Sequence, residues 1–126
     1  MDAVLRELAA GRKTSHWMWF VFPQIAGLGR SEMARRYAII SRDEAVAYLA
    51  DPVLGPRLVQ CTALVIAVDG RSAHDIFRSP DDMKFHSSMT LFDAVSPAAN
   101  IFSSALAKYF GGKRDAATLT LLGPAP

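Results

Sequence analysis

The sequence predicts an all-α fold, a compact bundle of about five to seven short helices formed by residues 1–126 as a single domain. Three observations carry that prediction. Helix-capping residues recur at short spacing along the chain, apolar residues return every three or four positions, and 51% of the 126 residues are apolar. A charged fraction of 21% is low beside so much apolar surface, so collapse into a core is favoured over disorder.

The first helix is expected over residues 3–10, ended by Gly11, which takes a left-handed C-terminal position without a Cβ penalty. Ser31 is placed to cap residues 32–40, and Ser41 with Glu44 has the spacing of a capping box ahead of residues 45–50. Asp51 followed by Pro52 joins a cap to a proline at the first helical position, with Gly55 and Pro56 allowing a later start. Leu54, Leu58, Cys61, Val65 and Val68 stripe the helix that follows, and Gly70 stops it. Ser79-Pro80-Asp81-Asp82 opens another helix, with carboxylates where the helix dipole favours negative charge, and Phe85, Met89 and Phe92 form its inward stripe. Ser96-Pro97 repeats the start signal, Ile101, Phe102, Leu106 and Phe110 pattern one side, and Gly111-Gly112 closes the element. A short last helix is expected over residues 115–122. The exception is the run 16–22. Its aromatics and valine favour a strand, whereas Ser15 and Pro23 would bound a two-turn helix, and so short an apolar run fits both.

Composition excludes several function classes. Fourteen Lys and Arg against twelve Asp and Glu leave a formal charge of +2, and the basic pairs Arg12-Lys13, Arg35-Arg36 and Lys113-Arg114 are scattered. Nucleic-acid binding concentrates positive charge on one face, so nucleic acid is a disfavoured partner. The single cysteine, Cys61, forms no internal disulfide and sits among apolar neighbours that raise a thiol's pKa, so it reads as a packing residue in a reducing, cytoplasmic setting. No run approaches the roughly 20 apolar residues of a membrane helix, and the first residues lack the basic-then-apolar order of a secretory signal. His16, His74 and His86 lie far apart, so no metal is expected, and no cofactor motif is present. Gly27-Leu28-Gly29-Arg30-Ser31 reads as a plain connection into a helix.

The longest patterned segments carry a resemblance. Gly11-Arg12-Lys13, Ser15-His16-Trp17-Met18-Trp19-Phe20, Phe22-Pro23-Gln24 and Gly27-Leu28-Gly29, with Tyr48-Leu49, Leu54-Gly55-Pro56-Arg57-Leu58 and residues 84–92, resemble the bacterial family known as domain of unknown function 1810. The resemblance covers nearly the whole chain and implies a small, mostly helical, stand-alone domain with no established activity. It also implies a longer N-terminal helix ahead of Asp2, so that the chain begins partway through that helix. Some members of the family carry a calpastatin label. Calpastatin inhibitory repeats are disordered and hold a Thr-Ile-Pro-Pro-type motif, neither of which fits this apolar sequence. Where the family has Lys-Leu-Arg, this chain has Lys84-Phe85-His86, so no guanidinium role transfers to that position.

Two clusters are candidates for chemistry. Lys13, His16, Trp17, Trp19 and Gln24 set a cation and hydrogen-bonding groups beside indoles, a combination suited to a planar or sugar-like ligand; the same tryptophans also suit a core. Lys84, Ser87, Ser88 and Thr90 place polar groups on a helix that also carries the Phe85, Met89 and Phe92 stripe, which fits either close helix packing or an internal polar site. Ser87 and Ser88 as nucleophiles would need a base, and neighbouring His86 points elsewhere on a helix, so no residue is assigned a catalytic role. The functional expectation is a small-molecule-binding domain, or an enzyme acting on a nucleoside, sugar or other polar metabolite. Its pocket is expected between residues 13–24 and the helix at residues 84–90, with Lys13 and Lys84 converging on a polar or anionic ligand near Asp81 and Asp82. The alternative is a non-catalytic interaction or regulatory domain, with a homodimer among its expected assemblies, in which the aromatic motif is only core.

Overall fold

Phe85, Met89 and Phe92 repeat at helical spacing and all three are fully buried, which makes the helix carrying them the axis of the molecule. The computed structural model describes residues 1–124. Among them lie nine helices: α1 (Asp2–Ala9), α2 (Met18–Val21), α3 (Glu32–Tyr37), α4 (Arg42–Ala50), α5 (Leu54–Ile66), α6 (Ala73–Phe77), α7 (Asp81–Ala94), α8 (Ile101–Phe110) and α9 (Ala116–Leu122). Six of them have seven residues or more, in line with the five to seven expected, and α2, α3 and α6 are shorter. Central α7 touches α8, α9, α6 and α4, while α5 bridges α8, α4 and α1.

The expected caps at Ser31 and Ser41 act locally, Ser31 accepting from the Ala34 N–H and Ser41 from the Glu44 N–H. Asp115 caps the last helix by accepting from the Thr118 N–H. Asp51 is not the cap of α5, whose N-cap position is Val53; its carboxylate accepts from the N–H groups of Val53 and Leu54 in the turn ahead of the helix, which holds it below the usual carboxylate range. Three further boundaries differ from expectation. Helix α3 stops at Tyr37 because Ile39 leaves it to form a parallel bridge with Ile25. Helix α8 starts later than Ser96-Pro97, since Asn100 supplies the capping oxygen to the Ser103 N–H. Ser79 does not cap α7, whose N-cap position is Pro80. Helix α6 is an additional element, resting on a capping box between Ser72 and Asp75. The ambiguous run is neither a strand nor two helical turns: only residues Met18–Val21 are helical, with Trp17 at the N-cap.

Phe22, Phe77 and Phe85 form the aromatic centre of the core, with Phe22 and Phe85 edge-to-face at 5.0 Å and Phe77 stacked on Phe85 at 4.7 Å. Offset and perpendicular rings of this kind satisfy the quadrupoles as well as the volume. Cys61 is fully buried, and burial pushes its thiol up to about 11, as a packing role requires. Two glycines are dictated by space. Gly11 has φ +70°, and a Cβ there would meet Val68 at 2.9 Å; at Gly55 a Cβ would lie 2.1 Å from the Leu49 carbonyl oxygen. Among the described residues no single helix is long and apolar enough to cross a membrane.

Candidate functional site

The site begins with a misplaced charge. Glu7 lies in the last turn of α1, where the helix dipole disfavours a carboxylate. It stays buried because it accepts four hydrogen bonds: from the Thr14 N–H at 2.7 Å, the Ser15 N–H at 2.9 Å, the Ser15 hydroxyl at 2.7 Å and the Trp17 indole N–H at 3.0 Å. Burial raises its pKa, but the hydrogen bonds outweigh that and bring it down to about 2. The loop from Arg12 to Trp17 is thereby folded over a fixed anion. The Lys13 N–H, donating to the Ile76 carbonyl at 2.8 Å, ties the same loop to α6.

Lys13 then points at α7. Its ammonium lies 2.8 Å from one Asp81 carboxylate oxygen and 5.1 Å from the Trp17 ring centroid, and its side chain is only 8% exposed. Lys84, one turn along α7, approaches the other Asp81 oxygen at 3.6 Å and remains 27% exposed. Two lysines far apart in sequence thus share one carboxylate, as a cavity holding both would require. A cleft of about 510 Å³ opens beside them. Arg12, Lys13, Arg78 and Lys84 line it against one acid, Asp81, and His16 is also part of its lining. Arg78 has φ +63° and ψ 171°, a conformation nearly reserved for glycine and costly for any other residue.

The remaining candidates divide. Gln24 and Ser87 line a neighbouring pocket of about 330 Å³ that shares Lys84 and Pro80 with the cleft. Ser87 also donates to the Met83 carbonyl and to Asp115, both at 3.1 Å, and Thr90 accepts from the Asp115 N–H at 2.8 Å. These hydroxyls therefore dock the start of α9 on α7. Ser88 is fully buried and lines none of these clefts, and Trp17 is a core residue carrying the Glu7 bond. Trp19 is half-buried and faces a different groove. No histidine reaches either serine: His86 bonds the Lys113 carbonyl at 2.8 Å and stacks on Phe110. Glu7, Arg12 and Arg78 were outside the sequence-derived candidates. The sequence does hold a signal for Glu7, an acid at a helix C-terminus that must find donors, but none for the backbone of Arg78.

A family model described as "Protein of unknown function (DUF1810)" matches residues 1–122. The chain is also similar to the crystal structure, at 1.38 Å, of the conserved hypothetical protein Rv1873 from Mycobacterium tuberculosis. The two share 55% sequence identity and a TM-score of 0.94, over 96% of this chain and 86% of that one. No curated protein matches the chain.

Proposed function

The chain belongs to the DUF1810 family, and from that premise we propose that it is a small-molecule-binding domain for a polar metabolite bearing a phosphate or carboxylate. The observation that carries this reading is the pair of lysines on Asp81 at a cleft where four cations face one acid. Lys13 is tightly paired and nearly buried, so it fixes Asp81 in place. Lys84, more exposed and at a looser distance, is the group free to turn to an incoming anion. Arg12 and Arg78 add donors at the rim, and the strained Arg78 backbone is of the kind found at ligand clamps. The adjoining pocket with Gln24 and Ser87 offers neutral hydrogen-bonding groups for a sugar or base attached to that anion.

Thermal-shift screening of sugar phosphates, nucleotides and carboxylates tests the reading, because binding to the folded state raises the melting midpoint. At least one compound is expected to raise it, and Lys84→Ala is expected to remove most of that rise. A panel that shifts nothing, or a shift untouched by Lys84→Ala, overturns the reading. The competing reading, a non-catalytic interaction domain that pairs with a second copy, draws on exposed apolar side chains such as Ile40 and Met83. Sedimentation at rising concentration tests it, and a persistent monomer counts against it.

A further inference from the structure

On the groove that Trp19 faces, the side chains are of a different kind. Trp19 and Phe20 come from α2, Tyr37 from the end of α3, Tyr48 from α4, and Leu54 and Arg57 from the first turn of α5, around a space of about 510 Å³. Phe20 is 37% exposed and Tyr37 39%, unusual for rings in so small a fold. The Trp19 and Phe20 rings are tilted 42° at 6.3 Å, and those of Phe20 and Tyr37 52° at 6.2 Å. Rings so disposed form a wall without covering one another's faces. Two polar groups interrupt it: among the described residues, neither the Arg57 guanidinium nor the Tyr48 hydroxyl has a hydrogen-bond or ion-pair partner. Burial pushes the Tyr48 hydroxyl above its usual pKa, with Arg57 opposing, so it remains a donor at neutral pH.

We propose that this groove is a second binding site, independent of the cationic cleft, for a planar aromatic molecule carrying a single carboxylate. The aromatic wall takes the flat apolar body, and Arg57 with the Tyr48 hydroxyl takes the anion. Charge complementarity selects this occupant, because among the described residues Arg57 is the only charged one lining the groove. The volume is that of a small-ligand pocket.

The two tryptophans separate this site from the one proposed above. Trp17 lies beneath Lys13 at the cationic cleft, and Trp19 lines the aromatic groove, so their indole N–H resonances report the two sites individually. The probe is 2-naphthoate, compared with neutral 2-naphthamide and with the non-aromatic cyclohexanecarboxylate. The expected result is a saturable shift of the Trp19 indole by 2-naphthoate with the Trp17 indole still, and binding of the other two at least about tenfold weaker. Arg57→Gln should bring naphthoate down to the affinity of naphthamide, with an unmoved Trp17 resonance certifying the fold. Tyr37→Ser, at an exposed position, is the second variant and should also weaken naphthoate. A Trp19 indole that stays in place up to the solubility limit overturns the proposal, as does naphthoate affinity unchanged in either variant. So does a Trp19 shift produced by raising protein concentration alone, since that would place a second copy in the groove. Failure here leaves the cationic cleft untouched, because that site is read at Trp17.

Discussion

Single side chains divide into those that hold the cleft together and those that face its open space. Glu7 belongs to the first group, and its pH dependence follows from its sign. Its folded-state pKa of about 2 lies below the ordinary value of 4.5, so its contribution is present above about pH 4.5 and is lost as pH falls toward 2. Glu7→Gln should therefore flatten the loss of stability with acid in that window and cost about 2–3 kcal/mol at neutral pH, through the buried Trp17 donor and the loop it no longer fixes. Urea melts at several pH values check both. Lys13 and Lys84 should separate in the same way. Lys13→Ala leaves a mostly buried carboxylate with one loose partner and should lower stability by about 1–3 kcal/mol. Lys84→Ala should leave stability nearly unchanged and weaken anion binding about tenfold. Arg78→Gly should act oppositely on the two properties, relieving a positive-φ backbone and so raising the melting midpoint while weakening binding. The sequence pointed to the lysines because each sits in a dense polar and aromatic segment. It could not point to Arg78, whose conformation depends on the α6–α7 connection and not on its residue type.

At the level of elements, α7 does two jobs on two faces. The stripe of Phe85, Met89 and Phe92 is fully buried, so Phe92→Ala should cost about 3–5 kcal/mol by lost burial and a residual cavity, measured by chemical denaturation. Its polar residues look like a site in the sequence, yet Ser87 and Thr90 mainly secure Asp115 and hence α9. A helix facing another helix and a helix facing a ligand both need small polar side chains, so composition alone leaves the two equivalent. The caps at Ser31 and Ser41 were legible because each acts on an N–H group three residues away. The end of α3 and the brevity of α2 were not, because a long-range bridge and core packing set them. The junction of α4 and α5 gives a further test. Gly55→Ala should cost about 2–3 kcal/mol, because its methyl would be driven into the Leu49 carbonyl.

For the whole molecule, the bundle brings the loop after α1 against the connection between α6 and α7, so residues some seventy positions apart form one positively charged recess. Helix type and apolar period foretold an all-α bundle, and the expected meeting of Lys13 and Lys84 near Asp81 is what the packing produces. Dispersal of the other candidates is a consequence of the same packing. The Trp17 to Gln24 segment crosses the core, so its neighbours in sequence emerge at different surfaces: Trp17 inside, Trp19 in the aromatic groove, and Gln24 beside Ser87. The central claim is that the recess around Asp81 receives an anionic metabolite. Backbone amide chemical-shift mapping against pooled sugar phosphates, nucleotides and carboxylates tests it most directly. Saturable shifts concentrated at residues 12–16 and 78–84, and lost in Lys84→Ala, are the predicted result; shifts confined to other surfaces, or none across the pools, would contradict it.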